Sequence, residues 1–244
     1  IVQDTGSGGA WPVSSDRVVW AIAAWEIYKV TGEQAWLDEI YPIIKNSLED
    51  DYRTLRDPET GLYAGESSFL DWREQTYPKW MSNMDIAVSQ NLGTNVLHYR
   101  ANRILAEMAT LKGESGDSYT KRADDIKAGI NQHLWMEDKG YYAQYRYGRP
   151  HLTVSPRFEA LGEALAVLFD VPDADRAASI ISRSPVTEYG VTCIYPQIPG
   201  IPPYHNNAIW PFVQSYWNLA AAKTGNEQVL LHGLASIYRA GAFF

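Results

Sequence analysis

Asp71 lies in Ser68-Phe69-Leu70-Asp71-Trp72-Arg73-Glu74, flanked by a phenylalanine, a leucine and a tryptophan. A carboxyl among apolar side chains holds its proton above the usual range, because burial penalises the charged form. A neutral carboxyl can then donate a proton near neutral pH, which is the task of a general acid. Glu66 and Glu74 stand close in sequence, and like charges push in the same direction. The plain alternative is a structural ion pair of Asp71 with Arg73 or a neighbouring arginine. Glu188, in Glu188-Tyr189-Gly190, is a second loop carboxylate that could reach a cleft and share in catalysis.

Other polar and aromatic groups gather in loops. Trp11 precedes Asp16-Arg17, where the acid accepts and the base donates hydrogen bonds, as a sugar hydroxyl requires. Asp16 fits equally well as a helix cap. Trp72, Arg73 and Trp80 follow Asp71. Tyr204-His205-Asn206-Asn207 leads to Trp210-Pro211. Asn206 and Asn207 could line a pocket, cap a helix, or do both. His205 could bind a hydroxyl, move a proton or brace its loop.

The chain holds nine Trp, sixteen Tyr and six Phe, many of them in Pro- and Gly-rich stretches. Rings packed under long loops would explain some. A cleft lined with flat amphipathic rings explains them equally well, because sugar C–H faces stack on such rings while the hydroxyls meet polar neighbours. Net charge is −8, which argues against nucleic-acid phosphate as a partner. No apolar stretch approaches the roughly 18 residues of a membrane span. Cys193 is the single cysteine, so no intrachain disulfide forms. The histidines lack metal-ligand spacing and no Gly-rich loop is placed to hold phosphate, so neither metal nor cofactor is expected.

One unit recurs behind these loops. Helical spacing over 21–30 breaks at Gly32 and resumes over 35–48. The same pattern runs over 92–111 and 119–134, over 158–169 and 174–181, and over 209–223 and 227–238. The breaks fall at 113–116, at Pro172 and at Gly225. Short breaks make antiparallel hairpins, and repeated hairpins bury their faces on one another. The long segments 53–80, 139–156 and 186–205 carry little helix signal, so helices read as scaffold and loops as site.

This arrangement resembles the (α/α)6 toroid of six-hairpin glycosidases, a group that includes amylo-glucosidases, trehalases, processing α-glucosidases and α-rhamnosidases. Ser68-Phe69-Leu70-Asp71-Trp72 is similar to the family segment with the general-acid aspartate. Tyr204-His205-Asn206-Asn207-Ala208-Ile209-Trp210-Pro211 is similar to the segment that borders the sugar pocket. The resemblance implies an all-α toroid and a glycoside hydrolase acting on α-linked glucosides or related oligosaccharides by inversion. It also implies an oligosaccharide partner and a periplasmic or secreted enzyme. Hydrolysis then needs one carboxyl to protonate the leaving oxygen and a second to activate water, about 6.5–9.5 Å away for inversion. A sugar isomerase or polysaccharide lyase resting on His205 or Tyr204, and a binding protein without a catalytic pair, are the alternatives. Four hairpins are present where six close the ring. Residues 1–244 are thus expected to be one toroid domain from a longer chain, with the catalytic base possible beyond Phe244.

Overall fold

The computed structural model describes residues 16–66, 77–148 and 151–242. Four hairpins follow one another. They are α1 (Asp16–Thr31) with α2 (Gln34–Thr54), and, after the short α3 (Asn83–Ala87), α4 (Leu92–Leu111) with α5 (Asp117–His133). Next come α6 (Ala160–Leu168) with α7 (Ala174–Arg183), and α8 (Pro211–Lys223) with α9 (Glu227–Ala242). The expected mainly helical toroid fold is what the chain adopts, and the four sequence breaks are its four hairpin turns.

Three of those turns share one geometry. At the α4–α5 turn the Glu114 N–H donates to the Ala109 carbonyl at 2.8 Å, and Gly113 stands at φ 73°. At the α8–α9 turn Asn226 N–H reaches Ala221 at 3.0 Å, with Gly225 at φ 72°. At the α6–α7 turn Val171 N–H reaches Ala166 at 3.0 Å, and the left-handed residue is Asp170 at φ 60°. These bonds close the last helical turn and satisfy carbonyls that would otherwise lack partners. The chain then reverses. The Asp173 carboxylate accepts from Arg176 N–H at 2.8 Å, and Asn226 Oδ1 accepts from Val229 N–H at 3.1 Å, each opening the outer helix.

Helices α1, α4, α6 and α8 form an inner row, each packed on the next. Their core is one apolar cluster that runs from Val18 to Ala221. Trp217 of α8 is fully buried and meets Phe158 edge-on at 5.6 Å. Gly162 lets α6 close on α4, for a Cβ there would stand 3.1 Å from the Gly93 nitrogen. That contact sets the first turn of α6 beside the first turn of α4.

The long segments between hairpins carry short antiparallel strands. They are β1 (Gln90–Asn91), β2 (Trp135–Met136), β3 (Tyr141–Tyr142), β4 (Tyr145–Tyr147), β5 (Thr153–Ser155), β6 (Phe158–Glu159), β7 (Val186–Thr187), β8 (Gly190–Val191) and β9 (Ile194–Tyr195). Among the described residues the largest sheet has three strands, β1-β4-β5. Two strands start within residues 140–145: β3 pairs with β2, while β4 pairs with β1 and β5. These strands stitch the starts of the inner helices together. Leu92 N–H donates to the Gln144 carbonyl at 3.0 Å, and Gln144 N–H donates to the Arg157 carbonyl at 2.8 Å, joining α4 to the approach of α6. Ala160 N–H bonds the Cys193 carbonyl, and Cys193 N–H bonds the Ala208 carbonyl, both at 3.0 Å, joining α6 to the approach of α8.

Candidate active site

The first turn of α4 grips residues 63–66. Asn95 exchanges two hydrogen bonds with the Tyr63 backbone, at 2.7 and 3.0 Å. Gly65 N–H donates to the Ser89 carbonyl at 2.8 Å, and the Thr94 hydroxyl donates to the Glu66 carbonyl. Glu66 is therefore fixed, and buried, where an inner helix begins. The segment that carries Asp71, Trp72 and Arg73 follows directly, outside the described residues, as does Trp11. Asp16 and Arg17 open α1, and the structure describes them through their backbone.

A ring cluster stands at the start of α8. Tyr204, His205 and Trp210 lie with centroids 4.5, 4.9 and 5.1 Å apart. Trp210 holds the cluster by donating its indole N–H to the Tyr204 carbonyl at 2.9 Å. Pro211 then begins the helix, where its fixed φ fits and its missing N–H is not needed. Burial holds the His205 imidazole below its ordinary pKa, so the ring is neutral near pH 7. Tyr204 is half exposed and gives the cluster an open face.

Asn206 turns inward instead. Its amide oxygen accepts from Ile198 N–H at 2.8 Å, and its NH₂ donates to the Ile198 and Ile201 carbonyls at 3.0 and 3.3 Å. Both donors are thereby used on the loop. Asn207 is half-buried beside it. Glu188 lies at the turn between β7 and β8, exposed to solvent. Its carbonyl accepts from Arg239 of α9 at 2.7 Å, and its carboxylate raises the pKa of the Tyr189 phenol by hydrogen bonding to it. No contact among the described residues brings Glu188 to the ring cluster.

Two acids at the start of α6 escaped the sequence reading. Glu159 caps the helix, accepting from Leu161 and Gly162 N–H at 3.0 and 2.9 Å. Glu163, one turn on, is wholly buried, and Tyr142 N–H donates to its Oε1 at 2.7 Å. Burial pushes the Glu163 carboxyl well above the usual range, and the neighbouring Glu159 adds to this. Lys79 and Arg157 also went unmarked; with Trp80 they line a cavity of about 470 Å³ at this end. Among the described residues no group of three His, Cys, Asp or Glu is placed to hold a metal ion. No described helix is long and apolar enough to cross a membrane.

Carboxylates, a neutral histidine and open rings thus stand at the starts of successive inner helices. A family model described as the mannosylglycerate hydrolase MGH1-like glycoside hydrolase domain matches residues 5–241. The chain belongs to that family. Solved structures share the fold of this MGH1-like domain. The GH78 family rhamnosidase of Bacillus sp. GL1 superposes with a TM-score of 0.65 at 22% identity, over 91% of this chain and 21% of that one. A GH63 mannosylglycerate hydrolase from Thermus thermophilus, solved with glucose, gives 0.70 at 15% identity, over 89% and 66%. A rhamnosidase from Klebsiella oxytoca with rhamnose bound gives 0.58 at 14% identity, over 90% and 36%. The MGH1-like domain spans about a fifth of the first protein and just under two thirds of the second. The resemblance to six-hairpin glycosidases rests on these matches as well as on the motifs.

Proposed function

We propose that this chain supplies the acid-bearing arc of an inverting glycoside hydrolase that acts on an α-linked glucoside or related oligosaccharide. The observation that carries the reading is the meeting of the inner-helix starts at one end. At the start of α4 the Glu66 backbone leads in sequence into the Asp71 segment, and the Tyr204–His205–Trp210 cluster stands at the start of α8. Asp71 is the general acid and protonates the departing glycosidic oxygen. Trp11, Trp72, Trp80, Tyr204 and Trp210 offer faces to sugar rings, while Asp16, Arg17, Glu66, Arg73, His205 and Asn207 meet hydroxyls. Asn206 shapes the loop that presents His205. Glu188, exposed on the outer side, is a weaker partner for Asp71 than a carboxylate facing it across the sugar. We place that base on hairpins that complete the ring outside residues 1–244, which makes this chain one domain's larger part.

The test uses a longer chain with its flanking sequence. Asp71→Asn keeps the shape of the side chain and removes its proton. It is expected to lower kcat on an unactivated oligosaccharide by about 10²–10⁴-fold, the usual worth of general acid help. KM should stay near the parent value. A substrate with a very good leaving group needs little protonation and should lose far less. Full activity of the variant on the unactivated substrate would refute the assignment.

A further inference from the structure

The cavity beside Trp80 has a composition that protonating a glycosidic bond does not call for. Its walls include Lys79, Trp80, Tyr145, Tyr147, Ser155 and Arg157, with Pro199 closing one side. About 470 Å³ lies within the range of small-ligand sites. Trp80 is 61% exposed, and its ring leans on Tyr147 with centroids 5.3 Å apart. A tryptophan held at a cavity wall with its face open is a stacking platform. Tyr145 is buried beneath and meets Tyr147 edge-on at 5.8 Å, so the platform is backed by packed rings.

The charges are the unusual part. The chain has 29 acidic and 21 basic residues, so its surface as a whole repels anions. Lys79 and Arg157 nonetheless line one cavity, and neither side chain has an ion-pair partner among the described residues. Arg157 Nε is buried and makes no hydrogen bond. Arg157 itself is half-buried at the cavity wall, and arginine pairs with the oxygens of an anion in a two-pronged fashion. Position adds a direction. Trp80 lies nine residues after Asp71, and Arg157 lies two before Glu159 at the start of α6. The cavity therefore lies where α6 begins, the end to which the glycosidase reading assigns the acid and the leaving group.

We propose that this cavity is a subsite for an anionic sugar residue on the leaving-group side, with the ring stacked on Trp80 and its carboxylate or sulfate held by Lys79 and Arg157. The proposal rests on the glycosidase reading for its direction, but its test does not depend on turnover. Binding is measured by calorimetry on the longer chain carrying Asp71→Asn, with methyl glucuronoside, methyl glucoside and methyl glucoside 6-sulfate as probes. The glucuronoside should bind at least about tenfold tighter than the glucoside, as a charge-assisted pair provides. The sulfate ester shows whether the site reads any anion or a carboxylate alone. The preference should shrink as salt rises from about 20 to about 300 mM, through screening. Lys79→Gln should remove most of it without altering glucoside binding, and Trp80→Ala should weaken all probes together. Arg157→Lys keeps charge without the forked geometry and should leave an intermediate preference if its melting temperature matches the parent. Equal affinity for glucuronoside and glucoside, or a preference untouched by Lys79→Gln, would overturn the subsite. Failure of the Asp71 kinetics alongside a salt-sensitive preference would instead leave an anionic-sugar site and remove Asp71 as the acid.

Discussion

Glu163 shows what a single residue can hide. In sequence it is four positions from Glu159 on a helical pattern, the usual look of a solvated face. In the fold α6 lies between α4 and α8, so it has no solvated face, and Glu163 is fully enclosed. Its folded pKa lies well above the unfolded value near 4.3. Stability from that proton is fully present below the unfolded pKa and is lost as pH rises toward the folded one. The wild type should therefore lose about 1.4 kcal/mol per pH unit from this group through that window. Glu163→Gln is neutral throughout and escapes the loss. Denaturant unfolding of both proteins should give similar stability near pH 4.5 and a widening advantage for the variant as pH rises from there. A difference that stays flat would show that Glu163 titrates alike folded and unfolded. The ring cluster was legible where Glu163 was not. Tyr204, His205 and Trp210 occur in a Pro-rich stretch with no helical stripe to absorb them, so their types alone pointed to a surface site.

At the scale of elements, the hairpin turns were legible because glycine marks them. Gly32, Gly113 and Gly225 all take positive φ, which other residues adopt only with strain. No neighbouring atom lies within 4 Å of a Cβ added at Gly113 or Gly225, so alanine there meets strain without a clash. Each of Gly113→Ala and Gly225→Ala should cost about 1 kcal/mol, measured by denaturant midpoint at an unchanged slope. A loss beyond roughly 3 kcal/mol would mean the turn does more than reverse the chain. The third turn was placed by Pro172, while its left-handed residue proved to be Asp170. The strands were the least legible elements. They are two or three residues long, too short for alternation to register, and backbone bonds fix them between helix starts. Arg157 and Lys79 belong to such segments, so their cavity emerges only when the hairpins are packed.

At the scale of the molecule, an inner row of helices has two ends, and both ends carry exposed apolar residues. On α8, Phe212, Tyr216 and Leu219 follow one face at intervals of four and three. On α9, Leu231, Leu234 and Tyr238 do the same at three and four. Val19, Ile27 and Val30 stand on α1 at the opposite end. The other face of α8 is already buried through Val213, Trp217, Ala220 and Ala221. A helix apolar on both faces is built to be covered on both. If further hairpins cover it in a longer chain, Leu219 has two environments that one substitution separates. In residues 1–244 alone, Leu219→Lys should change stability by no more than about 0.5 kcal/mol, as surface substitutions do. It should also reduce self-association in sedimentation velocity, because it breaks the apolar face. In the longer chain the same change removes a buried leucine and buries a charge, and should cost at least about 2–5 kcal/mol. An equally small effect in both would show that the face of α8 stays open, and the ring would not close over it.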